Sequence, residues 1–291
     1  MLIYLASDMQ HSDTQKGCLY IVATPIGNLQ DISQRALHVL AEVDLIAAED
    51  TRHSQKLLSH YQINTRLYAL HDHNEKQRAE QLLSRLEQGM NLALISDAGT
   101  PLISDPGYAL VNLCRNAGIQ VVPLPGPCAA ITALCAAGLP TDKFTFAGFL
   151  PVKQVARREA LACLKSAEMT TVFYEAPRRV EETLAMLVEE LGEGRAVVLA
   201  KELTKTFETF CSGTATQVLD WLREDAVHQK GEFVLMVGPA EQSNLDIPPE
   251  AVSLLTLLMQ ELPLKKAAAL TAKHYQLKKN ELYQLGLELS S

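Results

Sequence analysis

The chain contains no run of about 18 consecutive apolar residues, the length a membrane-spanning helix needs. Its opening, MLIYLASDMQHSDTQKG, also lacks the basic n-region and long apolar stretch of a secretory signal. A cytoplasmic protein without membrane attachment is therefore expected. The six cysteines, at positions 18, 114, 128, 135, 163 and 211, form neither a C-x-x-C pair nor a cluster with histidine. That argues against a zinc site or a disulfide framework and leaves several of them as core filler. His71 and His73 have no third ligand at a helical or turn spacing, so no metal is expected, and polar packing suits them better. The phosphate-cradling patterns G-x-G-x-x-G and G-x-x-x-x-G-K-[ST] are missing throughout. So is an excess of positive charge: a formal net charge of −8 argues against a uniformly basic nucleic-acid binder.

At 291 residues and 47 % hydrophobic, the chain can bury one large core or two smaller ones, with an appendage. Its charge is uneven. From Pro263 to the end, five lysines (265, 266, 273, 278 and 279) face only Glu281 and Glu288, a local +3 that leaves −11 for the rest. Polyanion contact, if present, favours that end; on charge alone a solvated helix face explains it equally well.

The first half alternates short apolar runs (Leu19 to Ala23, Leu45 to Ala48, Met90 to Ile95, Ile119 to Val122) with helical patterns such as Ser33 to Ala41 and Glu75 to Gln88. This predicts a mainly parallel α/β sheet for residues 17–125. Three prolines and a glycine in Pro123-Leu-Pro-Gly-Pro127 exclude a continuing helix or central strand there and set a domain boundary. Residues 126–240 read as a second α/β domain. Its strands are predicted at Thr145 to Phe149, Thr170 to Tyr174, Val197 to Ala200, Thr204 to Cys211 and Glu232 to Val237, the late neighbours pairing as a hairpin. Its helices are predicted at Lys153 to Ser166, Arg178 to Leu191 and Thr216 to Glu224. A linker from Gly238 to Pro249 precedes a helical module over 250–291. There Asn280 is a plausible N-cap for the last helix, and the last two helices resemble a helix-turn-helix or, more plainly, a helical hairpin.

The stretch "ALISDAGTPLISDPGYALV" repeats Ile-Ser-Asp-x-Gly at Ile95 to Gly99 and Ile103 to Gly107. The second copy has a structural explanation, with Asp105 as N-cap and Pro106 at N1 of the following helix. The first lies just past the carboxyl end of a predicted strand, where open α/β sheets place ligands, and Gly99 and Pro101 force a tight loop exposing main-chain groups beside Ser96 and Asp97. Carboxylates with free main-chain groups suit sugar hydroxyls, an adenine edge or a cation, and S-adenosylmethionine combines all three. Three more stretches aim at the same crevice: Ala23-Thr-Pro-Ile-Gly-Asn-Leu-Gln-Asp31, Pro-Gly-Pro-Cys-Ala-Ala130 and Phe173-Tyr-Glu-Ala-Pro-Arg-Arg179. Each alone is no more than turn residues at a strand end.

Together with Leu-Tyr-Ile-Val-Ala-Thr-Pro-Ile-Gly-Asn28, Ala-Ala-Glu-Asp-Thr-Arg52, His-Asp-His-Asn-Glu75 and Pro-Leu-Pro-Gly-Pro-Cys-Ala-Ala-Ile-Thr-Ala133, these segments form a specific combination. The sequence resembles the tetrapyrrole methylase superfamily and, within it, the ribosomal RNA small subunit methyltransferase I family, 2′-O-ribose methyltransferases of a decoding-centre cytidine in 16S rRNA. The resemblance runs from Leu19 to Leu289; residues 1–16 fall outside it and read as an N-terminal extension open to disorder. It implies a two-domain α/β fold that is not Rossmann-like, S-adenosylmethionine in the cleft between the domains, a homodimer, and 16S rRNA of the small subunit as partner. Carried over by position, donor contacts fall on Pro25, Ala98, Gly99, Thr100, Ile103, Cys128, Ala129, Tyr174, Leu203 and Glu232. Porphyrin-precursor methylases carry Gly-Asp-Pro where this chain has Gly99-Thr100-Pro101, so Asp97 is the expected substitute carboxylate.

In-line methyl transfer to a 2′-hydroxyl needs the oxygen positioned and its proton removed. Asp50, Glu175 and Lys201, with Glu202 beside it, are the candidate bases, each weighed against a salt-bridge or capping role. Arg52, His73, Arg157, Arg158, Lys265, Lys266, Lys278 and Lys279 are the candidate RNA contacts, with Lys153, Arg178 and Arg179 further prospects around the cleft. Rival readings are a tetrapyrrole or protein methyltransferase of the same superfamily and a non-catalytic RNA-binding assembly factor.

Overall fold

Apolar side chains alternate onto both faces of the early strands, so the sheet they form must be covered on both sides. The computed structural model describes residues 16–71, 75–240 and 247–289; the expectations for residues 1–15 and for His73 lie outside these. Strands β1 (Cys18–Val22), β2 (Leu45–Ala48), β3 (Leu67–Ala69), β4 (Leu92–Ile95) and β5 (Gln120–Leu124) pair in the order β3-β2-β4-β1-β5, all parallel. Helices α1 (Gln34–Glu42) and α2 (Thr51–His60) cover one face through Ala36, Leu40 and Leu58. Helices α3 (Glu75–Glu87) and α4 (Tyr108–Asn116) cover the other through Leu82, Leu86, Leu110 and Cys114. Pro123 is tolerated inside β5 because that strand is an edge and has no outer partner for the missing N–H.

Helix α2 is amphipathic but poor in apolar residues, and only Ser54 and Leu58 are buried. Its start is fixed instead by Asp50, whose carboxylate accepts from the Arg52 amide at 2.8 Å. The start of α4 corrects the expectation for Asp105-Pro106. The helix opens at Tyr108 behind Gly107, and the carboxylate that caps it is Glu75 of α3, accepting from the amides of Gly107 at 2.9 Å and Ala109 at 2.8 Å. Asp105 instead borders the cleft described below.

After α5 (Ala129–Ala136), a second sheet is built from β6 (Phe144–Phe149), β7 (Thr170–Glu175), β8 (Ala196–Lys201), β9 (Thr209–Thr214) and β10 (Phe233–Val237), in the order β6-β7-β10-β8-β9. The β6–β7 pair is parallel and the others are antiparallel, with β8 and β9 forming the hairpin. Strand β9 begins at Thr209 rather than Thr204. Glu202 and Thr204 adopt positive φ, and the Thr204 amide donates to Glu208, so residues 204–208 make a turn. Helices α6 (Gln154–Ala162), α7 (Pro177–Leu191) and α8 (Ala215–Glu224) pack on one face around Leu161, Leu184, Leu187 and Leu222. Helix α5 lies on the other, where Ala130, Ala133 and Leu134 meet Val172, Val198 and Ala200 together with Ile26 from the first half and Leu203. By contacts both sheets belong to one compact unit ending at Pro239, and residues from Ala240 onward form another.

That second unit comprises α9 (Pro249–Glu261), α10 (Leu264–Tyr275) and α11 (Lys279–Leu289). Its core of Ala251, Leu255, Ala267, Ala268, Ala272 and Leu282 is rich in alanine, which lets the helices approach closely. Helix α10 stops at Gln276 in the left-handed conformation, and α11 starts at Lys279, placing Asn280 in its first turn rather than at its N-cap. No helix among the described residues is long and apolar enough to cross a membrane. Replacing Glu75 by alanine removes both bonds to the start of α4 and is expected to lower stability by about 1–2 kcal/mol, read from a urea unfolding curve.

Candidate active site

Parallel strands β1 and β4 are neighbours, so the segments leaving their carboxyl ends run side by side. A reciprocal main-chain pair joins them. The Thr24 amide donates to the Gly99 carbonyl at 2.9 Å, and the Gly99 amide donates back to Thr24 at 3.0 Å. Ser96 Oγ also donates to the Gly99 carbonyl at 3.1 Å, and Thr100 Oγ1 donates to Pro127 at 2.8 Å. Gly99 has φ +85°, a conformation that a side chain disfavours. This corrects the expectation that Gly99 offers its own main chain to a ligand, because both its polar groups are already paired. Among the described residues, the amides of Ala98 and Thr100 on either side of it make no hydrogen bond.

The loop after β1 also meets the second sheet closely. A Cβ on Gly27 would fall 2.9 Å from the Leu203 carbonyl, so only glycine fits there, and the Asn28 amide donates to Thr204 Oγ1 at 3.1 Å. Leu102 and Ser104 in one wall and Glu202 and Thr204 in the other all hold positive φ without being glycine. Such strain concentrates where loops are shaped for ligands.

Between these walls lies a trough of two lobes. The first, about 380 Å³, is walled by Ile26, Ile103, Leu203, Val234 and the Tyr174 ring, with Ala98, Gly99, Thr100 and Ala129 at one side. Its charged lining residues are Asp105, Glu175 and Glu232; it has no basic one. The second, about 470 Å³, is bounded by Pro25, Gly27, Asp97 and Lys205 and by one face of α2. The lobes share Ile26, Ala98 and Glu232 as a seam.

Of the expected donor contacts, Ala98, Gly99, Thr100, Ile103, Ala129, Tyr174, Leu203 and Glu232 therefore converge on the first lobe. Pro25 and Asp97 lie on the second-lobe side of the seam, and Asp97 Oδ1 accepts from the Asp50 amide at 3.1 Å. Cys128 lines neither lobe; it precedes α5 and packs half-buried against the second sheet. Burial pushes the Tyr174 hydroxyl well above its ordinary pKa, so it stays protonated, and its oxygen accepts from the Ala130 amide at 3.2 Å. Phe146 and Phe149 brace the ring edge-on, with centroids at 5.0 and 5.5 Å.

The candidate bases fare less well. Strand alternation puts Tyr174 on the α5 face of the sheet and its neighbour Glu175 on the α7 face. There the Glu175 carboxylate, fully buried, accepts from Thr183 Oγ1 at 2.8 Å, the Ala176 amide at 2.7 Å and Arg179 at 2.7 Å. Lys201 is buried in the β8 register that pairs with Phe233, on the same far face as Glu175. Both belong to the frame. Asp50 caps α2 and lines neither lobe; hydrogen bonds from Arg52 hold its carboxyl below the ordinary range, which makes it a weak base. Burial raises the Glu202 carboxyl, but Lys205 and the Glu232 amide outweigh that and bring it below its usual value.

The RNA candidates divide similarly. Arg157 is 2 % exposed and bonded to Glu182, and Arg179 is tied to Glu175, so neither reaches a polyanion. Arg158 already bridges Glu189 and Glu190 at 2.7 Å each. Arg52 is open to solvent beside Asp50, Lys265, Lys266 and Lys279 are exposed, and exposed Lys278 pairs with Glu281 at 3.0 Å. The residues of the second lobe, His53, Lys56, His60 and Lys205, escaped the sequence reading: α2 has only two apolar residues, Leu57 and Leu58, to mark it, besides the Asp50-Thr51 capping pair, and Lys205 lies in the turn after β8.

Comparison with known proteins follows this geometry. The family described as Tetrapyrrole (Corrin/Porphyrin) Methylases matches residues 18–219, and the RsmI C-terminal HTH domain matches 246–290. Ribosomal RNA small subunit methyltransferase I of Escherichia coli O157:H7 is 58 % identical over 279 residues, covering 96 % of this chain and 98 % of that one. The protein of the same name from Vibrio cholerae is 57 % identical over 271 residues, covering 93 % and 94 %. Uroporphyrin-III-C-methyltransferase from Thermus thermophilus shares the fold with a TM-score of 0.53 at 19 % identity, covering 77 % of this chain and 96 % of that one. Diphthine synthase does so with a TM-score of 0.57 at 14 % identity, covering 77 % and 90 %.

Glu175→Gln separates a framework role from a catalytic one. It is expected to destabilise the fold by about 3 kcal/mol or more, through loss of a buried pair. The folded fraction should keep turnover within about tenfold, whereas removal of a general base costs roughly 10²–10⁴-fold.

Proposed function

Because this chain belongs to the tetrapyrrole methylases and, within them, to the ribosomal RNA small subunit methyltransferase I family, we propose that it methylates the 2′-oxygen of a cytidine ribose in the decoding centre of 16S rRNA. It is an S-adenosylmethionine-dependent methyltransferase of small-subunit ribosomal RNA. The observation that carries the reading is where the basic side chains fall: the first lobe is apolar with acidic residues and no basic one, whereas His53, Lys56, His60 and Lys205 line the second, together with Asp97 and Glu232.

The first lobe fits the donor by its chemistry. Acidic Asp105 and Glu232 at a lobe without lysine, arginine or histidine favour a net-positive ligand and disfavour a nucleoside triphosphate. The unpaired amides of Ala98 and Thr100 are donors for an adenine edge or a carboxylate, and Ile103, Leu203 and Tyr174 exclude water around them. When bound, S-adenosylmethionine supplies a methyl group on a positively charged sulfur. The chain's own residues then orient the acceptor at the seam, and positioning accounts for most of the acceleration.

The lysines of the terminal unit extend the RNA footprint, in keeping with the helix-turn-helix family match. A ribosomal substrate places the enzyme in the cytoplasm. The same proposal includes a homodimer, with the exposed apolar side chains of Tyr108, Ile131 and Val152 as candidates for its contact surface.

Incubating the protein with methyl-labelled S-adenosylmethionine and purified small subunits, then mapping the modified nucleotide, tests the assignment; 2′-O-methylcytidine in the decoding centre is expected. Label on a tetrapyrrole instead, or on a ribosomal protein, contradicts it. Lys265→Glu with Lys266→Glu should raise KM for subunits about tenfold while leaving donor affinity unchanged, measured by methylation kinetics and calorimetry.

A further inference from the structure

Four of the expected donor contacts, Pro25, Asp97, Ala98 and Glu232, also line the second lobe, but the rest of its lining is of another kind. Helix α2 turns His53, Lys56, Leu57 and His60 toward it, a single helical face, while Ser54 and Leu58 on the opposite side are buried against the sheet. The start of that helix is tied to the floor of the lobe by the Asp50 amide, which donates to Asp97 at 3.1 Å. The basic face is thus fixed in position relative to the seam.

The cations around the lobe are not equivalent. Lys205 is held by Glu202 at 2.9 Å and Glu232 at 3.1 Å, so its charge is neutralised within the protein. The Lys56 side chain is exposed on the lobe wall and, among the described residues, makes neither an ion pair nor a hydrogen bond; the same is true of the His53 side chain. A cation without a carboxylate, lining a concave site beside two imidazoles, is placed to meet an external anion. Leu29 and Leu57 supply apolar surface in the same lobe, as a base or sugar face requires. A volume of about 470 Å³ accommodates one nucleotide but not a duplex.

We propose that the second lobe receives the nucleotide to be methylated and that Lys56, flanked by His53 and His60, binds an RNA phosphate adjoining it. The proposal rests on the RNA-methyltransferase reading above. It sets the target ribose at the seam, between a lobe that attracts the cationic donor and a lobe that anchors the anionic chain.

Lys56→Glu tests this, with Lys76→Glu on α3 as a control of equal charge change away from both lobes and Lys56→Arg as the conservative variant. Methylation of purified small subunits is followed at several salt concentrations, and donor affinity is measured by calorimetry. Lys56→Glu is expected to raise KM for subunits about tenfold or more and to flatten the log–log salt dependence by about one. Lys56→Arg should behave as wild type, Lys76→Glu should change neither quantity, and donor affinity should stay within twofold throughout. An active wild-type enzyme whose KM responds no more to Lys56→Glu than to Lys76→Glu overturns the proposal while leaving the methyltransferase reading intact. A wild-type protein that binds donor but never methylates subunits overturns that reading and this inference with it.

Discussion

The paired amides and carbonyls of Thr24 and Gly99 are the constraint from which the site is built. Two parallel strands leave the sheet side by side, and without a cross-link their loops would be free to diverge. The reciprocal bond holds them together and consumes the polar groups of Gly99, which leaves the amides of Ala98 and Thr100, residues that line the first lobe, as donors without a partner among the described residues. The left-handed conformation of Gly99 then turns the chain so that Thr100 can reach Pro127 at the entrance to α5. The positions of Ile103 and Asp105 follow from that turn. Gly27 does the corresponding work on the other side, letting the first loop approach Leu203 closely enough to close the wall.

Given that frame, charge sorts the ligands. Burial of Tyr174, Ile26 and Leu203 makes the first lobe a low-dielectric site, where an acidic rim acts more strongly than it would in open solvent. Glu232 stands on the seam and, with Glu202, neutralises Lys205, so the unpaired cation of the second lobe is Lys56 of α2. A donor that carries positive charge and an acceptor chain that carries negative charge are thereby drawn to adjacent places from opposite sides. The net charge of the whole molecule, −8, is no guide to this arrangement, since the relevant cations are few and local.

Much of this was legible in the sequence. Strands with apolar residues on both faces gave the parallel sheet, and the Ile-Ser-Asp-x-Gly repeat located the loop that lines the first lobe. The misreadings have definite physical origins. Glu175 looked like a base because it adjoins Tyr174, but successive residues of a strand point to opposite faces, and its partners Arg179 and Thr183 lie four and eight residues on, in α7. Arg157 looked like a surface cation because it adjoins Arg158 in a basic stretch with Lys153; its burial beside Glu182 is a tertiary fact. Helix α2 went unnoticed because its free face serves a cleft rather than a core: its faces are separated at helical spacing, but Leu57 and Leu58 are its only apolar residues. The capping of α4 by Glu75 joins residues more than thirty apart and leaves no local trace.

The central claim is that the acidic, apolar lobe beside Gly99 selects a positively charged nucleoside. Calorimetric titration of the intact protein with S-adenosylmethionine and, separately, with ATP compares two adenosine ligands of opposite charge at the same site. Saturable binding of S-adenosylmethionine, with no detectable heat from ATP, is the predicted result; ATP binding as tight as or tighter than S-adenosylmethionine contradicts the account.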